Sequence, residues 1–164
     1  MNQAVERYSR DRINFNHARL SGAQAEFIGI FLRFEFALKE CGYARKTDGD
    51  AVVDWGRFAK EQLGPDFYEK VRASSEADTM MKRPPLKQVV RDGKLHFDPS
   101  RAPAKNVDEL LTHVRTVRNN LLHGGKSGDP DGRRNGKLIA GAKWVVEEVL
   151  RRVEKVRNAF EGNY

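Results

Sequence analysis

One cysteine, Cys41, in a chain of 164 residues leaves no pair for an internal disulfide and no set of thiolates for a metal cage. A reducing compartment fits that usage. Long apolar runs are also missing. The most apolar stretch, FIGIFLRFEFAL (27–38), is interrupted by Arg33 and Glu35 and falls short of the roughly 20 residues that span a bilayer. The N-terminal stretch MNQAVERYSRDR contains no apolar segment of the signal-peptide type. A soluble, unexported, cytoplasmic protein is the expectation. The four histidines fall in separate elements without HxxxH or HExxH spacing, so no metal or other cofactor is expected. No serine sits in a nucleophile elbow. GGKS (124–127) has the look of a phosphate loop, but Asn120 stands five residues before Gly125 where a glycine is required, and a helix precedes it where a strand is needed. No repeat of solenoid period is present.

What the chain does have is positive charge. Thirty lysines and arginines against 23 acidic residues give +7, which favours an anionic partner such as nucleic acid or an acidic membrane surface. Charges of both signs are interspersed without a long basic block, so plain solubility explains part of that balance.

Helical periodicity begins after Ser21, a capping residue, and runs to about Cys41, with Phe27, Ile30, Phe31, Phe34 and Leu38 forming a stripe at spacings of three and four. This is the expected central helix, closed by Gly42. TDGD separates it from a second helix, about Val52 to Leu63, with Trp55, Phe58 and Ala59 inward. After Gly64-Pro65, Asp66 to Ala77 can form a short helix that carries Phe67, Tyr68 and Val71, and Pro84-Pro85 rules out its continuation. VVRDGKLHF reads as two alternating strands about an Asp92-Gly93 turn, within a hairpin over Leu86 to Phe97. Pro99 to Lys105 is a linker, and Asn106 or Asp108 starts a helix that runs to about His123. The polar run GGKSGDPDGRRNGK (124–137) reads as a loop. The last helix, about Lys137 to Phe160, carries Ile139, Trp144, Val145, Val149, Val153 and Val156. The expected architecture is a single all-α domain over 1–164, a compact helical bundle with a hairpin and linker insertion at 81–105.

Arginine five residues before histidine occurs three times: Arg12 to His17, Arg91 to His96, and Arg118 to His123. The first pair lies in a polar stretch with few apolar residues, and the second reflects hairpin geometry. The third, in VRNNLLHGGK, lies on an amphipathic helix ending at Gly124-Gly125, where the first glycine can take the left-handed cap conformation. A guanidinium can hold a phosphate through a planar fork of donors, and an imidazole can move a proton near neutral pH. Placed at about 100° per residue, Leu110, Val114, Val117 and Leu121 form the core seam, with Arg115, Asn119 and His123 on roughly the opposite side. Asn119 and His123, four apart, can meet one ligand.

Arg118 and His123 fall about 140° apart on an ideal helix, too far to converge easily. Either the arginine wraps round the helix end, or a second copy of the helix completes the site. Leu111 and Leu122 flank Arg118, and two readings of that flank stay open: burial in a symmetric dimer, or packing against the last helix with Arg118 paired to an internal acid such as Glu35. Arg133 and Arg134 in the polar loop can contact a backbone phosphate or simply be solvated.

Arg-Asn, three residues, then His at the end of a helix in a compact helical domain resembles the HEPN superfamily. FLRFEFALKECGY with the following DWGRFA is similar to the first conserved block of a group of uncharacterised bacterial HEPN proteins, and RNNLLHGGK to the second. The resemblance covers most of residues 23–160. It implies a helical bundle that dimerises through the motif helices, and in many members a metal-independent endoribonuclease found as a toxin, a phage-defence effector or an RNA-processing enzyme. Carried over, Arg118 and His123 are the catalytic pair, with Asn119 and Glu35 supporting. Glu35 is equally readable as a structural ion-pair partner, since a charge within an apolar helix needs one. Arg115, Lys126, Arg133 and Arg134 are weaker RNA contacts. An antitoxin or other regulatory protein is a further implied partner. A non-catalytic HEPN module that binds RNA, nucleotide or a partner protein is the alternative.

Overall fold

The computed structural model describes residues 19–46, 48–99, 102–123 and 131–163. Arg12, His17, Gly124 and Lys126 lie outside the described residues.

Helix α1 (Gly22–Leu38) starts where the sequence places it. Ser21 Oγ accepts from the backbone N–H of Gln24 at 3.3 Å, and the Gln24 side chain accepts from the Ser21 N–H at 2.8 Å, a capping box that occupies two orphan donors. Phe27, Phe31, Phe34 and Leu38 are fully buried, while Ile30 is half-buried. A π-type turn, Lys39–Tyr43, ends the helix at Gly42, whose φ of 85° is ready for glycine and strained for other residues. The chain then folds back through a single bridge between Ala44 and Val53, closed by Asp54 N–H to Tyr43 O at 2.7 Å.

The second helix begins three residues later than its periodicity suggests. Val52 is exposed, and α2 (Trp55–Phe58) starts behind Asp54, whose carboxylate accepts from the Arg57 N–H at 3.1 Å. It runs through a π-type turn, Ala59–Leu63, into α3 (Gly64–Arg72), where Pro65 occupies the first turn and leaves no donor without a partner. A further short helix, α4 (Asp78–Lys82), buries Met80 and Met81 ahead of the Pro84-Pro85 break, at a place where the sequence suggested none.

Strands β1 (Lys87–Arg91) and β2 (Lys94–Asp98) pair antiparallel about Asp92-Gly93. Both turn residues have positive φ, 51° and 69°, the geometry of a type I′ turn. Helix α5 (Val107–Leu122) is capped by Asn106, whose side chain accepts from Glu109 N–H at 2.9 Å. Helix α6 (Gly132–Arg152) begins inside the run read as a loop, because Asp131 caps it by accepting from the Arg134 N–H at 2.8 Å. The single last helix is in fact two, with α7 (Glu154–Glu161) set off by the non-helical Val153 (φ −110°, ψ 87°). Val149, Val153 and Val156 are all buried and keep a spacing of three to four across that break, so periodicity cannot reveal it.

Helix α1 packs on α5, α6 and α7, and α5 also meets α3, α6 and β1. An aromatic cluster fills the centre. Phe31 stacks on Trp55 at 5.9 Å, and Phe34 meets Phe58 edge-on at 6.4 Å. Mostly helical, with one small hairpin, the fold agrees with the expected all-α class. No helix among the described residues is long and apolar enough to cross a membrane.

Candidate functional site

Helix α5 carries the motif. Leu110, Val114 and Val117 are buried as the seam predicts and Leu121 partly so, while Leu111, Thr116 and His113 are buried as well. Leu111, 1% exposed, is already inside the core and offers nothing to a partner. Leu122, at 46%, is exposed. His123 is the C-cap, its backbone N–H bonded to Asn119 O at 2.9 Å, and its ring is exposed at the helix end.

Arg118 faces α1. Its Nη2 donates to Glu35 Oε1 at 2.8 Å, and its guanidinium lies 4.9 Å from the centre of the Phe31 ring. One turn earlier, Arg115 lies 5.2 Å from the centre of the Trp55 ring. Two cations thus rest on two rings that stack on each other, an arrangement in which ring quadrupoles replace part of the lost hydration. Arg115 makes no hydrogen bond or ion pair among the described residues. Its burial, with Arg118 beside it, pulls its guanidinium below the ordinary arginine value, against opposing pulls from Glu35 and Asp108. Arg33 is occupied elsewhere, donating to the carbonyls of Phe160 and Ala159 at 2.8 and 2.9 Å, where it closes the end of α7.

A cleft of ≈ 420 Å³ opens between the start of β1 and the outer face of α5. Lys87 and Gln88 line one wall, and Thr112, Arg115, Thr116, Asn119, Asn120 and His123 the other. None of these is acidic and none is apolar. A surface of cations, amides and hydroxyls suits an anion that also carries hydrogen-bonding edges. The hairpin's place is set by Asn120, whose Nδ2 donates to Leu86 O at 2.9 Å. Arg134 adds to this by donating to the carbonyls of Pro84 and Arg83 at 2.6 and 3.2 Å, carbonyls that the proline break leaves without helical partners. A larger cavity of ≈ 480 Å³ lies beyond Asn120, lined by Leu86, Phe97, Leu121, Leu138 and Ile139 among others. Its walls are mainly apolar and its one carboxylate, Glu26, is already bonded to Lys143 at 2.7 Å, so the smaller polar cleft is the better site for chemistry.

The structure therefore brings Arg115, Asn119 and His123 together and holds Arg118 on the neighbouring face of the same helix, paired there with Glu35 of α1. Arg133 and Arg134 lie in the first turn of α6 rather than on a loop. Lys87, Gln88 and Asn120 were not foreseen. The one available hint was a basic residue at the base of a hairpin, which says nothing of where the hairpin docks. No family model, curated protein or solved structure matches this chain.

Proposed function

We propose that this chain is a HEPN-type, metal-independent endoribonuclease that works as a homodimer, with a conditional role as a toxin or defence effector. The observation that carries the reading is the cleft holding His123: its lining combines an exposed imidazole with two cations and neutral donors, and contains no carboxylate to repel a phosphodiester. RNA supplies its own nucleophile. The 2′-oxygen attacks the adjacent phosphorus, the bond to the 5′-oxygen breaks, one proton leaves the 2′-hydroxyl and one reaches the departing 5′-oxygen. His123 serves as acid or base, and Arg118 stabilises the charge that builds on the phosphoryl oxygens. The products are a 2′,3′-cyclic phosphate and a 5′-hydroxyl.

Dimerisation answers the separation of Arg118 from His123. Leu32 and Phe36, exposed at 52% and 41%, lie one turn apart on α1 and flank Glu35, while Leu122 is exposed at the end of α5. A two-fold contact over this apolar face would bury it and bring the Arg118 edge of one copy to a second. A non-catalytic module that binds RNA, a nucleotide or a partner protein is favoured by a specific observation too. Arg118 is already satisfied by Glu35 and Phe31, as a structural residue would be.

Incubating mixed cellular RNA with purified protein in EDTA tests the choice, alongside Arg118→Ala and His123→Ala proteins. Cleavage by the wild type alone, leaving cyclic-phosphate ends, is the expected result. No cleavage by any of the three favours the binding module.

A further inference from the structure

The hairpin is a wall of the site, and the side chains it shares with α5 divide into two groups. One group is spent on the fold: Asn120 holds Leu86 O, Thr112 Oγ1 donates to Asp108 O at 3.0 Å, and Thr116 Oγ1 donates to Thr112 O at 2.8 Å. The other group has donors and no recipient. Gln88 Nε2 is buried without a hydrogen-bond partner. Arg115 has no counter-ion among the described residues, and neither does Lys87 across the cleft. Buried polar atoms are normally satisfied, so the Gln88 amide in the cleft wall, beside two cations without a counter-ion, marks a place where something else can supply an acceptor.

We propose that this cleft is a subsite for one nucleotide of single-stranded RNA, in which Arg115 and Lys87 grip a backbone phosphate from opposite walls while the Gln88 amide reads the edge of the base. The inference rests on the ribonuclease reading for its ligand and stands apart from it in its residues. Size sets the class of substrate. A volume of ≈ 420 Å³ lies within the range of about 300–1,000 Å³ typical of small-ligand sites, enough to take one splayed nucleotide of a single strand. Guanidinium and ammonium supply the charge-assisted bonds to phosphate, and a glutamine amide offers both donor and acceptor to a base. Along α5 the cleft runs from Thr112 to His123, about 16 Å at the helical rise, so the grip on the strand and the imidazole occupy one continuous path.

Fluorescence anisotropy with a labelled, fully 2′-O-methylated single-stranded RNA tests this without requiring cleavage, since that strand has no free 2′-hydroxyl. Lys87→Ala and Arg115→Ala should each weaken binding about tenfold, and each should reduce the slope of log K against log salt by about 0.7, the value for one cation removed from a single strand. Gln88→Ala should leave the salt slope unchanged and flatten the ranking of binding among homopolymer strands. Lys60→Ala, an exposed cation outside the cleft lining, should do nothing. The same sequence as a duplex should bind more weakly than the single strand. Lys87 is exposed on its strand and its removal does not threaten folding, so wild-type affinity and slope in Lys87→Ala would overturn the proposal. Loss of equal size in Lys60→Ala, preference for the duplex, or no binding by the wild-type protein would also overturn it. Binding that shows these effects without cleavage in EDTA would keep the subsite and remove the ribonuclease. Cleavage with binding indifferent to Lys87 and Arg115 would do the reverse.

Discussion

Replacing Glu35 by alanine strands a guanidinium inside the protein, and the size of the resulting loss follows from how deeply the pair is set. Glu35 and Arg118 lie 2.8 Å apart, with side chains 20% and 19% exposed. At an effective dielectric constant of about 20, unit charges at that separation attract by about 6 kcal/mol before desolvation is counted. Desolvation offsets most of it. Breaking a buried pair costs about 3–5 kcal/mol and an exposed one about 0–1, so an intermediate setting places Glu35→Ala at about 2 kcal/mol. Arg118→Ala should cost a similar amount, because it leaves the carboxylate alone and also removes the cation lying over Phe31. In the double variant no charge is stranded. The double loss should therefore fall short of the summed single losses by about 1–2 kcal/mol. Urea unfolding of all four proteins at one concentration measures this, the fixed concentration being needed because self-association adds to apparent stability. Losses that sum to within about 0.5 kcal/mol would refute the claim that Glu35 and Arg118 support each other across α1 and α5.

Two further outcomes come from packing and from charge. Gly136 and Gly141 both lie in α6, yet alanine should act oppositely at the two positions. At Gly136 an added Cβ meets nothing within 4 Å, and the gain in helix propensity should raise stability by about 0.5–1 kcal/mol. At Gly141 it would sit 3.1 Å from the carbonyl oxygen of Glu76, and overpacking against backbone, about 1–3 kcal/mol, should outweigh that gain. Thermal unfolding separates them, and shifts of the same sign would contradict the close approach of α6 to the segment before α4. Glu148, 6% exposed, pairs with Lys70 and Arg151, and the bond from Lys70 above all holds its carboxyl below the ordinary value. A folded pKa below the unfolded one means that its stabilisation is complete above about pH 4.3 and is lost as pH falls through the folded value. Glu148→Gln should be less stable at pH 7 and lose less on acidification from pH 5 to 3, as urea midpoints across that range would show; parallel curves would contradict this role.

Most of the secondary structure is legible because its causes are local. Ser21, Asn106 and the Asp92-Gly93 pair act within three or four residues of themselves, and each begins or turns the element that it predicts. The Phe27, Phe31, Phe34 and Leu38 stripe is likewise a property of one helix. Asp131 is also a local cap, but the glycines and arginines that follow it are residues equally at home in a loop, which hides the first turn of α6. The break at Val153 was hidden because its apolar spacing is uninterrupted. For the candidate site, helical periodicity alone separates Arg118 from His123, and the structure places the two side chains in different surroundings, one against Phe31 and the other in the cleft.

The sequence by itself determined the central helix, the motif helix and the hairpin, which stripe of each helix faces inward, and which helix carries the arginines, the amide and the histidine, but not the short helix α4 or the break between α6 and α7. Only the tertiary structure decided what those side chains meet. Arg118 finds Glu35 across 83 residues of chain, and Asn120 pins the hairpin at Leu86 across 34. Local rules reach one or two turns of a helix, or one strand and its neighbour. The docking of β1 against α5, which turns a row of polar residues into a cleft, depends on the packing of the whole bundle.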